Sequence, residues 1–203
     1  MKKSDKTEIT VSKIIEAALA EFGRNGYEGG TVNNICKTGI NKGLLYHNFC
    51  GKDDIYLNCL NLSCKKLIQH ICRQDGTESL EKYMAARMDA VRRYPDEAHI
   101  FFEALLNAPA HLAEEVSAAL SEFHVLNKQM LDKMLDGLKL RDGVSRDDAV
   151  SYFYMMQTML NGCFGSGAYR NISFQEKIEI HEKMIPRLLD FMLHGIAKSG
   201  DET

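Results

Sequence analysis

The sequence predicts an all-α protein, in which a small N-terminal domain of three helices precedes a larger helical bundle. Apolar residues recur at the three- and four-residue spacing of amphipathic helices along nearly the whole chain. Only 3 of the 203 residues are proline, none is tryptophan, and few stretches show the alternation that is typical of strands. The apolar fraction of 45% and the charged fraction of 26% are ordinary for a soluble globular protein.

Four helices are predicted after a polar stretch, residues 2–8, that we expect to form a loose arm. The first helix is amphipathic and ends at the Asn25-Gly26 pair, because glycine favours helix C-termini. Thr31 and Asn41 can cap the next two helices, since their side chains can accept hydrogen bonds from free helix N–H groups. The predicted helices run from Ser12 to Phe22, Thr31 to Lys37, Lys42 to about Asn48 and Asp53 toward Cys72.

The rest of the chain predicts a helical bundle beyond a boundary at Gln74-Asp75-Gly76. Pro95 ends one helix and can begin the next. Two capping-box patterns, Ser145 to Asp148 and Ser173 to Glu176, mark the starts of the last two helices. The predicted helices run from Leu80 to about Val91, Phe101 to Leu106, Ala110 to Leu140, Arg146 to Tyr169 and Ser173 to about Lys198.

The net charge of −3 is unevenly distributed along the chain. Residues 1–72 carry a net charge of +3, and residues 73–203 carry a net charge of −6. A mildly basic N-terminal part followed by an acidic remainder is typical of a protein whose N-terminal part binds nucleic acid, although charge alone is weak evidence.

Features that bear on location and redox state favour a cytoplasmic protein. No apolar stretch follows the polar first residues as in a signal peptide, and no window approaches the roughly 18 consecutive apolar residues of a membrane span. The six cysteines show neither a CxxC pair nor zinc-finger spacing. We therefore expect reduced thiols, with a redox switch built on Cys59, Cys64 and Cys72 as the alternative.

Catalytic and metal-binding motifs do not occur in the sequence. There is no HExxH, P-loop or GxSxG motif. The glycines Gly162, Gly165 and Gly167 have the wrong order for a dinucleotide loop, and we expect them to allow close helix packing. The seven histidines are dispersed. We therefore predict that the protein is not an enzyme and uses neither a cofactor nor a metal.

The segment Thr31–Phe49 predicts a helix-turn-helix, whose second helix would enter the major groove of DNA. Taken alone, two short helices joined at Gly39 could also be a plain helical corner. The residues spaced to pack against the first helix are Ile35, Ile40, Leu45 and Phe49. The residues that the second short helix would expose are Asn41, Lys42, Gly43, Leu44, Tyr46, His47 and Asn48.

Residues 9–60 resemble the DNA-binding domain of the TetR family of bacterial regulators. The resemblance covers about a quarter of the chain, and beyond it the similarity is one of architecture and length. It implies a DNA-binding regulator. The matching motifs are Phe22-Gly23-Arg24-Asn25-Gly26-Tyr27, Thr31-Val32, Ile35, Gly39-Ile40-Asn41-Lys42-Gly43, Leu45-Tyr46-His47-Asn48-Phe49 and Lys52-Asp53-Asp54-Ile55.

Three residues depart from the commonest pattern of that family. Cys36 and Thr38 stand where small residues, often alanines, are usual, and both are small enough to pack there. Leu44 occupies a recognition-helix position that is often Thr or Ser. The identity of this base contact is therefore open, and a leucine could touch a thymine methyl group.

The resemblance also implies roles for individual residues at the DNA. Phosphate contacts fix the register of a protein on DNA, while base contacts choose the sequence. The residues implied to hold phosphates are Thr31, Tyr46, His47 and Lys52. Those implied to approach base edges are Lys42, Gly43 and Leu44, and Asn33 and Asn34 are candidates for either role.

The helical body is larger than DNA binding requires. The resemblance implies a helix-turn-helix DNA-binding domain over residues 1–52 and a ligand-binding and dimerisation domain over residues 53–203. The alternative is a DNA-binding protein of the same fold without a small-molecule effector, controlled by a protein partner or acting architecturally. The candidate effector-binding residues are Phe101, Phe102, Leu105, Phe123, His124, Met130, Met155, Met156, Met159 and Cys163.

The last two predicted helices carry more apolar residues than one core-facing stripe, which indicates a partner. We expect a homodimer through these helices, bound as a repressor to a palindromic operator in double-stranded DNA and released by a small-molecule effector. A central place in a single-chain bundle is the alternative for them. The apolar residues concerned are Val150, Phe153, Tyr154, Met155, Leu160, Ile178, Ile185, Leu188, Leu189 and Met192.

Overall fold

The computed structural model describes residues 3–73, 76–169 and 171–196, and helices account for most of these residues. The prediction of an all-α fold is confirmed. The α-helices within the described ranges are α1 (Lys3–Gly29), α2 (Val32–Lys37), α3 (Lys42–Asn48), α4 (Lys52–Arg73), α5 (Leu80–Arg93), α6 (Pro95–Asn107), α7 (Ala113–Ala119), α8 (Ser121–Asp136), α9 (Arg146–Gly165) and α10 (Phe174–Ile196).

The helices group into two compact units. The first unit comprises the described residues up to Gln69 together with Ala90–Glu122, and the second comprises His70–Asp89 and the described residues from Phe123 onward. This grouping reflects packing. The functional division into residues 1–52 and 53–203 stays a prediction.

The predicted N-terminal arm is wrong for the described residues, because α1 already begins at Lys3. The residues before Ser12 include lysine, glutamate and other residues that a helix tolerates, with no proline or glycine to stop it. Residue 2 of the predicted arm lies outside the described residues. The helical geometry of α1 breaks at Gly26, whose φ of +66° is favourable only for glycine.

The long helix predicted from Ala110 to Leu140 is also wrong. A 3₁₀ turn over Ala110–Leu112 precedes α7, and α7 and α8 are separated at Leu120. The side chain of Leu120 is buried, so the apolar pattern continues through the break and hides it. The helix predicted from Arg146 to Tyr169 ends as α9 at Gly165, and a 3₁₀ turn over Gly167–Tyr169 follows.

Both predicted capping boxes are present. At α9, the Ser145 N–H donates to Asp148 Oδ2 over 2.9 Å, and the Asp148 N–H donates to Ser145 Oγ over 3.1 Å. At α10, the corresponding distances between Ser173 and Glu176 are 2.9 and 3.2 Å. These paired bonds satisfy N–H groups that have no partner within a helix.

In the first unit, α1 packs against α6 at close range. A side chain at position 23 would collide with Asp96, so Gly23 allows this approach. Just beyond the break at Gly26, the Tyr27 N–H donates to both carboxylate oxygens of Glu103, over 2.9 and 2.8 Å. The acidic side chain of α6 therefore holds the end of α1.

In the second unit, a buried ion pair joins α5 to α10. Arg87 Nε and Nη2 donate to the two carboxylate oxygens of Glu182 over 2.8 and 2.6 Å, and the two residues are only 5% and 1% exposed. Burial by itself raises the pKa of Glu182, but the Arg87 guanidinium outweighs burial and holds that pKa at about 2. Glu182 is therefore ionised, and the pair is neutral as a whole.

No helix within the described ranges is both long and apolar enough to cross a membrane.

We predict that the two halves of the buried ion pair depend on each other. Replacing one partner, as in Arg87→Met, leaves the buried Glu182 without its guanidinium and should lower the free energy of unfolding by about 3–5 kcal/mol. The double variant Arg87→Met/Glu182→Met removes both charges and should be more stable than the single variant. Urea denaturation of the full chain at neutral pH measures both changes.

The matched control is Lys128→Met, which breaks the exposed ion pair between Lys128 and Asp132 on α8. We expect little change in stability there, because solvent screens exposed pairs. A double variant as unstable as Arg87→Met would contradict the prediction, since the loss would then come from packing rather than from charge.

Candidate functional site

Two short helices of the first unit, α2 and α3, form the predicted helix-turn-helix. The Asn34 N–H donates to Thr31 Oγ1 over 3.1 Å, so Thr31 caps α2. The Gly43 and Leu44 N–H groups donate to Asn41 Oδ1 over 2.8 and 3.2 Å, so Asn41 caps α3. These caps agree with the sequence prediction. The turn between the helices contains Gly39, whose φ is +97°.

Apolar side chains fix α2 and α3 to the rest of the first unit. Ile35 and Leu45 are fully buried, and Phe49 is almost so. Ile40, which was predicted to pack with them, is half-buried. Because α1 contacts both α2 and α3, this packing sets the orientation of the outer face of α3.

The outer face of α3 is exposed and mixes polar with apolar groups. Leu44 is 49% exposed and Tyr46 is 51% exposed, so both side chains are open to contact from outside the chain. The other predicted DNA-contacting residues on this helix, Lys42, Gly43 and His47, are exposed as well.

The asparagines of α2 differ from each other in their partners. Asn33 is exposed, and its Oδ1 accepts from Lys42 Nζ of α3 over 3.0 Å. Asn34 Nδ2 donates to Glu21 Oε1 over 2.9 Å, and the same oxygen accepts from the Thr31 N–H over 3.1 Å. Glu21 of α1 therefore positions Asn34 and Thr31, a role that sequence reasoning missed.

Lys52, at the start of α4, lies beside the aromatic ring of Tyr27. Its Nζ is 4.3 Å from the ring centroid, a distance typical of a cation–π contact. The Tyr27 hydroxyl donates to Asp53 Oδ1 over 2.5 Å and lies 3.1 Å from His111 Nε2. Burial and the bond to Asp53 raise the pKa of Tyr27 to about 12, so the hydroxyl stays protonated. No local sequence signal connects Tyr27 with His111.

A small cavity lies within the second unit. It has about 30 Å³ of free volume, room for about one water molecule. Apolar side chains form most of the wall, including Leu80, Met84, Met130, Met134, Met156 and Leu160. The wall also contains the polar groups of Tyr83, Arg87, Asn127 and Gln157.

Two of the ten predicted effector residues, Met130 and Met156, line this cavity. Phe123 is buried in the same unit, with its ring centroid 5.0 Å from the Arg87 guanidinium carbon. Phe101, Phe102 and Leu105 belong to the first unit and are buried or half-buried there. The remaining predicted effector residues are exposed, namely His124, Met155, Met159 and Cys163. The prediction thus grouped residues that the structure does not bring together.

Sequence reasoning missed the polar residues of the cavity wall, although a signal for one of them was available. Arg87 continues the apolar spacing of Leu80, Tyr83 and Met84 on α5, where a charged residue must be paired if it is buried. Its partner Glu182 is 95 positions away, so no local pattern connects the two.

The predicted dimer residues divide between two faces of α9 and α10. Val150 and Leu188 are half-buried, while Tyr154 and Met155 are exposed. The members buried within the unit are Phe153, Leu160, Ile178, Ile185, Leu189 and Met192. Further exposed large apolar side chains on these two helices are Tyr152, Met159 and Phe191.

The cysteines and histidines form no metal site within the described ranges, where no group of three or more potential ligands lies together. Cys59 and Cys64 are buried, and burial raises the pKa of each thiol to about 12. Neither sulfur is therefore an effective nucleophile, which weighs against the redox alternative.

Comparison with known proteins shows what this chain is similar to. The family model described as bacterial regulatory proteins, tetR family, matches residues 14–59, the segment that contains α2 and α3. The biofilm operon icaADBC HTH-type negative transcriptional regulator IcaR of Staphylococcus epidermidis is 26% identical to this chain. That alignment covers 88% of this chain and 92% of the relative.

Solved structures show the same fold. A TetR family transcriptional regulator from Chloroflexus aurantiacus superposes with a TM-score of 0.60 at 20% identity, covering 95% of each chain. The fatty acid degradation regulator FadR from Bacillus halodurans gives a TM-score of 0.56 at 15% identity, covering 85% of this chain and 96% of that one. Residues 14–59 therefore match the tetR family of bacterial regulatory proteins, and the chain as a whole is similar to solved members of that family in fold.

Proposed function

We propose that the protein is a dimeric repressor that binds a palindromic DNA operator through α3 and is released by a small-molecule effector. The observation that carries the proposal is the outer face of α3, where Leu44 and Tyr46 are about half exposed on a helix that Ile35 and Leu45 hold in place. The relative IcaR is a negative regulator, which supports repression as the mode of action.

The contacts of the free protein support a division of roles at the DNA. Lys42, Gly43 and Leu44 at the start of α3 would approach base edges, with Lys42 oriented by Asn33. Recognition helices of this type present their N-terminal residues to the major groove. The residues proposed to hold phosphates are Thr31, Tyr46, His47 and Lys52, and Asn33 and Asn34 are candidates for contact with either phosphates or base edges.

Dimerisation through α9 and α10 is supported by their second apolar face. On α9, the buried side chains of Phe153, Met156 and Leu160 alternate with the exposed side chains of Met155 and Met159 at helical spacing. Large apolar groups in water favour a partner surface. A twofold dimer would place the two α3 helices about 34 Å apart, one turn of the DNA duplex.

An effector bound in the cavity of the second unit would control the affinity of the protein for DNA. A ligand changes a two-state equilibrium only through its differential affinity for the two states. We propose that the ligand favours a conformation that binds the operator weakly. The helix α4 is the segment through which the change would reach α3, since it begins at Lys52 and ends among residues of the second unit.

We predict that Leu44 reads a thymine methyl group. Once selection from random DNA has defined the operator, replacing the contacted thymine by deoxyuridine removes only that methyl. The wild-type protein should lose roughly fivefold in affinity, equivalent to about 1 kcal/mol. Leu44→Ala should bind both DNAs equally, because it has already lost the contact. Fluorescence anisotropy of the full chain at fixed salt measures both affinities.

The control for this prediction is Leu62→Ala, which truncates an equally exposed leucine on α4. It should keep the preference of the wild type for thymine over deoxyuridine. If Leu44→Ala also keeps the preference, Leu44 does not read the methyl. If the wild-type protein selects no DNA sequence at all, the proposed function itself is wrong.

We predict that charges on the exposed face of α9 separate the dimer. Met155→Glu/Met159→Glu places two carboxylates in the proposed interface, where their desolvation is unfavourable. Sedimentation of the variant at micromolar concentration should give a monomer, and its affinity for a palindromic operator should fall sharply.

The matched control for the dimer prediction is Val125→Glu, which places a carboxylate on an exposed apolar residue of α8. This variant should remain a dimer and retain operator affinity. A Met155→Glu/Met159→Glu protein that sediments like the wild type would show that the two copies meet elsewhere.

A further inference from the structure

The amide of Asn127 is incompletely satisfied at the wall of the cavity in the second unit. The residue is on α8, is only 5% exposed and lines the cavity. Its Nδ2 is buried and has no hydrogen-bond partner among the described residues. Most buried polar groups are paired, so an unpaired donor at a cavity suggests a missing acceptor.

The orientation of the Asn127 amide is fixed by its neighbours. Its Oδ1 accepts from the Tyr83 hydroxyl and from Arg87 Nη1, the latter over 3.3 Å. An arginine nitrogen can only donate, so an amide turned by 180° would place two donors against each other. The Nδ2 group is therefore the part of the amide that remains unpaired.

The charge of the cavity wall is already balanced. Two nitrogens of Arg87 are bound to the two carboxylate oxygens of Glu182, and Nη1 donates to the oxygens of Tyr83 and Asn127. Burial raises the pKa of Tyr83, so its hydroxyl stays neutral. An additional charged group in the cavity would have no free counter-charge among these residues and would lose its hydration.

The apolar part of the wall can change shape. Four of its side chains are methionines, Met84, Met130, Met134 and Met156. Methionine has three rotatable bonds and adapts to irregular ligands. The free volume of about 30 Å³ is smaller than ligand sites usually are, so binding of a larger molecule requires these side chains to move.

We infer that the cavity selects uncharged, largely apolar molecules with one hydrogen-bond acceptor, such as a ketone or ester carbonyl, which Asn127 Nδ2 binds. This inference rests on the proposed function, in that the cavity is taken as the effector site. It adds the chemical class of the ligand and the residue that recognises it.

The test uses three small aromatic probes of similar shape. Acetophenone carries a carbonyl, ethylbenzene replaces it by CH₂, and benzoate carries a charge. Binding to the full-length protein is followed by NMR of methyl-labelled methionine. The signals of Met130 and Met156, which line the cavity, should shift on titration with acetophenone and ethylbenzene. Benzoate should leave the cavity signals unchanged.

The decisive measurement is the ratio of the Kd values for ethylbenzene and acetophenone. Asn127→Leu removes the donor without adding a charge, so the preference for acetophenone over ethylbenzene should fall about tenfold. Asn127→Met should change the ratio in the same direction, which protects the test if the leucine variant folds poorly. In the wild type, the carbonyl stretching frequency of bound acetophenone should move to the lower value of a hydrogen-bonded ketone.

Three results would each overturn the inference. These are an unchanged Kd ratio in the folded variants, benzoate binding as tight as that of acetophenone, and no shift of the cavity methionines with any probe. Operator binding by the same preparation is measured in parallel. A protein that binds operator but fails these tests disproves only the ligand class, whereas loss of sequence-specific DNA binding would disprove the proposed function.

Discussion

The second unit depends on the pairing of Arg87 with Glu182. Either charge alone would be strongly unfavourable in the interior, but their bidentate contact makes the pair neutral. The same guanidinium donates to Tyr83 and to Asn127, so it joins α5, α8 and α10 and also fixes the amide at the cavity wall. One ion pair therefore sets both the packing of three helices and the polarity of the proposed ligand site.

The first unit has a comparable constraint at Glu103. Both oxygens of this carboxylate share the Tyr27 N–H, which lies immediately after the break in α1. Burial raises the pKa of Glu103, and the bond from Tyr27 opposes that effect. Because α2 and α3 pack against α1, the anchor of α1 on α6 also supports the outer face of α3. An acidic side chain thus holds helices together in each unit, Glu103 in the first and Glu182 in the second.

Sequence reasoning succeeded where the physical cause is local. The caps formed by Thr31, Asn41, Ser145 and Ser173 each involve residues within three positions, and the all-α fold follows from helical spacing. It failed where contacts are distant, since Tyr27 and Glu103 are 76 positions apart. Composition also could not tell which face of α9 a methionine occupies. Met156 lines the cavity, while its neighbour Met155 is 65% exposed, because successive helical residues point about 100° apart.

Two alternatives remain for the second unit: it binds a small-molecule effector, or it does not. Polar groups that lack a hydrogen-bond partner in the free protein bear on this choice. An unpaired buried donor such as Asn127 Nδ2 costs about 1–3 kcal/mol. Leu44 on α3 is also incompletely used in the free protein, because a half-exposed leucine contributes little burial free energy to folding. A DNA contact of Leu44 would serve both kinds of regulator, whereas a bound acceptor at Asn127 Nδ2 would serve only a regulator that has an effector. The unpaired amide of Asn127 therefore supports the effector-controlled regulator over the alternative without a ligand.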